Sequence, residues 1–184
     1  MKIYFVRHLK TKGNYEKRYI GRTDEDLDFS REQSVNYSLP KLPNKIYCSP
    51  MKRCVQTAQA IYPDADILFH NNLREVNFGI FENKAYEELK ENVHYRNFIS
   101  GLEDPIEGEG RLEFKERCFH AFSQIISECK EEDILVIVCH GGTIMTIMEK
   151  LEQSKGGFYD YQIPNGGVLE CEFDGENLRI VGRG

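Results

Sequence analysis

The sequence predicts an α/β fold: a mainly parallel sheet flanked by helices on both faces, with a C-terminal β-hairpin at one edge. Three observations carry that prediction. Continuous β-branched runs, Ile134 to Cys139 the strongest, suit strands covered on both faces, the environment of a parallel sheet. Segments of helical spacing lie between those runs, so strands and helices alternate. Near the end, apolar alternation on either side of Asp174-Gly175 reads as a hairpin.

In chain order, Ile3-Tyr4-Phe5-Val6 is the first strand and Lys45-Ile46-Tyr47-Cys48 the second. Between them, residues 11–41 have weak periodicity, and a long irregular segment in a compact domain is often functional. Residues 52–62 place Cys54, Val55, Ala58, Ile61 and Tyr62 at helical spacing, and Pro63 stops the helix. Asp66-Ile67-Leu68-Phe69 is a weaker strand candidate. Two longer helices are predicted over residues 85–100 and 111–130, separated by a glycine-rich loop at 106–110. The second carries an apolar stripe that includes Phe114, Cys118, Phe122 and Ile125. A short helix over 142–152 follows the strongest strand, and the hairpin closes the chain. With no repeat and no linker, residues 1–184 read as a single domain, a size able to bury a sufficient core.

Composition narrows the function. Lys and Arg number 24 against 30 Asp and Glu, a net charge of −6 that disfavours nucleic acid and anionic membranes as partners. No stretch approaches the roughly 20 apolar residues of a membrane helix. The six cysteines are scattered without a C-x-x-C pair, and the histidines lack metal-ligand spacing, so neither a disulfide framework nor a metal site is expected. The reading is a reduced, cytoplasmic protein with no cofactor. The oligomeric state is unknown at this level.

Ligands of open α/β sheets bind beyond the carboxyl ends of the strands. There the first strand ends in Arg7-His8, the second in Ser49-Pro50 with Arg53 shortly after, and the strongest in His140-Gly141-Gly142. Parallel strands would put two histidines and two arginines on one rim. Guanidinium groups match phosphate bidentately, and a neutral imidazole can attack phosphorus. Other phosphoryl chemistries leave no mark. There is no P-loop, no Cys with Arg six positions later and no G-x-S-x-G elbow, while Asp24 to Asp28 lacks the apolar strand an aspartate nucleophile would follow.

Arg7-His8-Leu9-Lys10-Thr11-Lys12-Gly13-Asn14 resembles the R-H-G-[E/Q]-[T/S]-x-x-N signature of the histidine phosphatase superfamily, in its phosphoglycerate-mutase-like branch. Gly21-Arg22-Thr23-Asp24, residues 49–58, residues 73–82 and Val138-Cys139-His140-Gly141-Gly142 continue the resemblance in family order across most of the chain. The resemblance implies the fold of that family and catalysis through a phosphohistidine on His8. Arg7, Arg53, Asn14 and His140 would hold the phosphate, and Glu75 would exchange protons with the leaving oxygen and then with water. Taken without the resemblance, Glu75 reads as a surface carboxylate beside Arg74, and Asn14 as a turn residue.

Four positions depart from the family pattern. Leu9 stands where glycine is usual beside the nucleophile, with its side chain expected to point away. Lys10 replaces an acidic or amide residue. Phe81 and Asn83 replace the usual Trp and Gly. The helix expected after Leu27 also lacks its preceding glycine, so the chain there is expected to be shortened. The implied activity is a metal-independent phosphomonoester hydrolase acting on a small phosphorylated metabolite. Residues 82–110 carry only Lys84, Lys90 and Arg96 to hold the second acidic group that a mutase needs. Gly108-Glu109-Gly110 followed by Phe114 and Arg117 resembles the α-ribazole phosphatases of cobalamin synthesis. Two alternatives stay open: a mutase-type phosphotransferase, and a catalytically weak phosphate-binding protein on account of Leu9.

Overall fold

The computed structural model describes residues 1–35 and 37–184. Its centre is a six-stranded sheet built from β1 (Lys2–Arg7), β2 (Lys45–Cys48), β3 (Ile67–Phe69), β4 (Ile134–Cys139), β5 (Val168–Phe173) and β6 (Leu178–Arg183). The order is β3-β2-β4-β1-β5-β6. The first four strands in that order run parallel, and β5 and β6 add antiparallel pairs at the far edge. The sheet is thus mainly parallel, with the hairpin at one edge as its Asp-Gly turn predicts.

Strand side chains alternate between faces, and here both faces are buried. Ile3, Phe5, Leu135 and Ile137 pack on α5 (Arg111–Ser127) and α6 (Gly141–Leu151). Tyr4, Val6, Val136 and Val138 pack with Cys54 and Ala58 of α2 (Lys52–Ile61) on the other face. That two-sided burial is why these strands read as unbroken apolar runs. Among the described residues, no helix is long and apolar enough to cross a membrane.

Two boundaries differ from the sequence expectation. The helix expected over 85–100 is two pieces, α3 (Tyr86–Leu89) and α4 (Val93–Ser100). Asn92 restarts the chain by accepting from the backbone N–H groups of His94 and Tyr95, a side-chain cap that competes with continued helix. The helix over 111–130 ends at Ser127, because Glu128 and Cys129 bond back three residues in a tightened final turn. Where the resemblance implies a helix after Leu27, there is none among the described residues of 28–44. Earlier in the irregular segment lies α1 (Lys12–Tyr15), a single turn capped by Thr11.

Candidate active site

The C-terminal ends of β2, β4 and β1 lie side by side, and the chain leaving each supplies part of one site. Arg7 pairs with Cys139 in register, so His8 and His140 leave adjacent strands at the same level. Their rings meet edge to face with centroids 5.3 Å apart. His8 is 4% exposed and His140 is fully buried.

The hydrogen bonds fix the chemistry of each ring. His8 Nδ1 lies 2.6 Å from the Leu9 carbonyl. A carbonyl only accepts, so Nδ1 carries the ring hydrogen and Nε2 keeps a free lone pair. Burial, then Arg53, then Arg7 hold His8 well below its ordinary value of 6.5, against a smaller raising effect from the Leu9 bond. His8 is therefore a neutral imidazole at physiological pH, with the Nε2 lone pair that a nucleophile requires. His140 Nδ1 accepts from Arg53 Nε at 3.3 Å, and its Nε2 stands 2.8 Å from Ser49 Oγ. Arginine only donates, which leaves Nε2 as the protonated nitrogen of neutral His140. Burial first, then Arg53 and His8, lower His140 in the same way.

This arrangement predicts how stability varies with pH. Both imidazoles bind a proton less readily folded than unfolded, so unfolding takes up protons as pH falls through 6.5. Their contribution is complete above that pH and declines below it toward their depressed folded values. Thermal midpoints are expected to be level above about pH 6.5, to fall below it, and to fall less in His8→Asn. Thermal unfolding followed by circular dichroism across that range checks this, and an unchanged slope in the variant would contradict it.

The arginines divide their tasks. Arg53 is fully buried, and its guanidinium donates to the carbonyls of Thr23 and Gly21 at 2.9 and 2.8 Å, and to that of Ile20 at 3.5 Å. Glu82 holds the same loop from its other side, accepting from the backbone N–H groups of Gly21, Arg22 and Thr23. A Cβ at Gly21 would stand 1.9 Å from the Val76 carbonyl oxygen, so only glycine fits between them. Arg7 donates to the Ile163 carbonyl at 2.7 Å, while its Nε is buried without a protein partner. A buried donor left open beside the two histidines suits an anionic ligand.

Asn14 is similarly set. Its Oδ1 already accepts from the backbone N–H of Thr11 and the side-chain amide of Asn165. Its Nδ2 donors are thereby the ones left for a ligand. Arg7, Asn14 and Glu75 line a cavity of about 570 Å³, together with aromatic side chains that include Tyr19, Phe78 and Phe98.

Glu75 is not the surface partner of Arg74 that its segment alone suggests. It is 8% exposed, and its carboxylate accepts from the Gly142 N–H at 2.9 Å and the Val76 N–H at 3.0 Å. Gly142 belongs to the first turn of α6, where backbone donors and the helix dipole favour negative charge. A Cβ at Gly142 would stand 2.4 Å from Glu75 Oε1. The second glycine after His140 is therefore a spatial requirement of the carboxylate.

The departures from the family pattern are accommodated. Leu9 is not among the residues with positive φ, and its side chain packs on Gly166 rather than lining the cavity. Its backbone N–H donates to Thr57 Oγ1. Lys10 turns its ammonium over the Tyr15 ring. Asn83 adopts φ 59°, a left-handed conformation that glycine takes freely and asparagine tolerates. Phe81 is fully buried beside Leu89 and Tyr95. Cys139 is strand packing: it is fully buried, and burial pushes its thiol well above 9.0.

Sequence reasoning missed Ser49 as the partner of His140 and Asn165 as the residue that orients Asn14. Asn165 also donates to the His8 carbonyl, and Gly166 N–H bonds the carbonyls of Arg7 and His8. The Pro164-Asn165-Gly166-Gly167 string is a turn signal that marks the place without naming its partner.

The chain is similar to known proteins. The family model of the histidine phosphatase superfamily, branch 1, matches residues 3–184. Phosphoglycerate mutase-like protein 4 of Arabidopsis thaliana is 30% identical over 165 residues, covering 83% of this chain and 71% of its own length. A probable phosphatase of Schizosaccharomyces pombe is 25% identical over 170 residues, covering 87% of this chain and 78% of its own. The crystal structure of a putative α-ribazole-5'-P phosphatase from Escherichia coli superposes with a TM-score of 0.80 at 18% identity, covering 98% of this chain and 94% of that one. At that identity the likeness is one of fold. A phosphoglycerate mutase from Thermus thermophilus superposes at 0.75 with 25% identity, covering 100% of this chain and 98% of that one. With the match running almost end to end, the chain belongs to branch 1 of the histidine phosphatase superfamily.

Proposed function

We propose that the protein is a metal-independent phosphomonoester hydrolase working through a phosphohistidine on His8. The observation that carries the reading is the His8 ring: Nδ1 is tied to Leu9, and Nε2 is neutral and unshared beside the open Nε donor of Arg7. In the first step the Nε2 lone pair attacks phosphorus. The bond from phosphorus to the leaving oxygen breaks, and that oxygen takes a proton through the Glu75 carboxyl, which has drawn it from the singly protonated phosphate ester. Arg7 and Asn14 stabilise the charge on the remaining phosphoryl oxygens, and the His140 Nε2 hydrogen joins them by exchanging Ser49 Oγ for a phosphoryl oxygen, with Arg53 orienting the ring. In the second step water attacks phosphorus and gives a proton to the Glu75 carboxylate. The N–P bond breaks, releasing phosphate and restoring His8.

Hydrolysis is favoured over mutase transfer by the cations around the cavity. Arg18 is paired with Glu16 and Glu88, and Lys115 with Glu149; Arg111, which donates to the Phe98 carbonyl, lines it without a carboxylate partner among the described residues, while Lys84, Lys90 and Arg96 do not line it. A second acidic group on a substrate would find few unpaired partners there. α-Ribazole phosphate is the named candidate substrate, on the Gly108-Glu109-Gly110, Phe114 and Arg117 pattern and the shared fold. A cytoplasmic location with no nucleic-acid or membrane partner completes the reading, in keeping with the acidic charge and free thiols.

A phosphate-release panel tests it: α-ribazole phosphate, phosphoglycerates, sugar phosphates and nucleotides, each with and without chelator. Release from at least one ester, unchanged by chelator, is the expected result. Isomerisation of phosphoglycerate without net release, or loss of activity with chelator, would count against it.

A further inference from the structure

Glu75 stands in a stretch with no regular structure, between 3₁₀ turns at Asn71–Leu73 and Gly79–Phe81. A proton-transfer group must keep its place to a fraction of an ångström, and neither helix nor strand geometry supplies that here. The constraint comes from α5. Arg117 donates through Nη1 to the carbonyls of Asn72 and Arg74 at 2.9 and 2.8 Å, and through Nη2 to the Glu75 carbonyl at 3.4 Å. Its Nε and Nη2 also meet the two oxygens of Glu109, each at 2.6 Å. All five guanidinium donors are thereby used, three of them on the backbone that carries Glu75.

Glu109 completes the clamp. Its backbone N–H donates to the Asn77 carbonyl at 2.9 Å, and its carboxylate accepts from the Asn77 N–H at 3.4 Å. The Arg117–Glu109 pair is mostly shielded from water, with side chains 18% and 12% exposed, so it is not a loose surface contact. Both ends of the Glu75 segment are thus anchored to one bidentate ion pair.

We infer that Arg117, fixed by Glu109, is a positioning residue that aims the Glu75 carboxyl at the leaving oxygen. The inference rests on the hydrolase reading above and adds Arg117, which does not line the cavity, acting through the backbone that carries Glu75. It also explains why the Gly-Glu-Gly loop and the Arg seven residues after it belong together: loop and helix carry the two halves of the clamp.

The test compares two esters that differ in their need for a proton. Phenyl phosphate releases a poor leaving group, whereas 2,4-dinitrophenyl phosphate releases one that departs unprotonated. Arg117→Ala is expected to lower kcat/KM for phenyl phosphate by about tenfold to a hundredfold, and for the dinitrophenyl ester by less than about threefold. Arg117→Lys, which keeps a charge toward Glu109 but cannot hold three carbonyls in fixed geometry, is expected to show the same selective loss. It also serves if the alanine variant does not fold. Equal losses on both esters would show a merely structural role and overturn the inference, as would no loss on either. A wild type inactive on both esters would overturn the hydrolase reading and the inference with it.

Discussion

His8→Ala is expected to reduce phosphate release by on the order of 10⁴-fold or more, because it removes the atom that forms the covalent bond. The expectation follows from how little else could replace it. His140 has its Nδ1 held by Arg53 and its Nε2 hydrogen directed at Ser49, so its lone pair is already engaged. Cys54 lies 3.5 Å from His140 Nε2, but burial pushes its thiol up to about 12, leaving it protonated. The fold survives the change. The variant leaves the buried Leu9 carbonyl short of a donor, a cost of about 1–3 kcal/mol against a typical domain stability of about 5–15 kcal/mol. Steady-state phosphate release, with circular dichroism as the folding control, checks the outcome. Activity within about tenfold of wild type would remove His8 from the mechanism.

Glu75→Gln is expected to be the next largest effect, a fall in kcat/KM of about 10²- to 10⁴-fold on esters with poor leaving groups. Glutamine keeps the size of the side chain but cannot give or take the proton. It also offers one acceptor where the structure uses two, for the N–H groups of Gly142 and Val76. Gly142→Ala approaches the same defect from the helix, since its Cβ must displace the carboxylate. Its loss should share the leaving-group dependence of Glu75→Gln. The measurement is kcat/KM over a series of aryl phosphates. Wild-type dependence in Glu75→Gln would assign the proton to another group.

The legible parts of this molecule are those whose physics is local. β1 and β4 announce themselves because burial on both faces demands apolar residues at every position, and the Asp174-Gly175 hairpin because few residues make that turn. The rim of Arg7, His8, Arg53 and His140 follows from parallel strands ending together, as β1 and β4 do in register. Long-range contacts are another matter. Glu75 reaches Gly142 across 67 residues and Arg117 across 42, and its own segment carries no periodicity, so locally it reads as a surface carboxylate. Only the order of the family blocks suggests its role. Asn165, 151 residues from Asn14, has a turn signature but none of its partner. The division of labour between the arginines was equally out of reach: Arg53 spends most of its donors on the 20–23 loop, whereas Arg7 keeps one open.

Asn83 shows how a departure in sequence can preserve structure. The position needs a left-handed backbone, and asparagine is among the residues that adopt one. Leu9 is accommodated differently, through a side chain that packs away from the cavity on Gly166. With both in place the His8 ring keeps its Nδ1 bond to the Leu9 carbonyl.

The most direct test of the phosphohistidine is to trap it. Wild-type protein mixed with a radiolabelled phosphate ester and quenched within one turnover is expected to carry label that is lost in acid, survives base, and maps to the peptide containing His8. His8→Ala should carry none. Turnover of the ester with no trapped label, or label that persists in His8→Ala, would contradict the account.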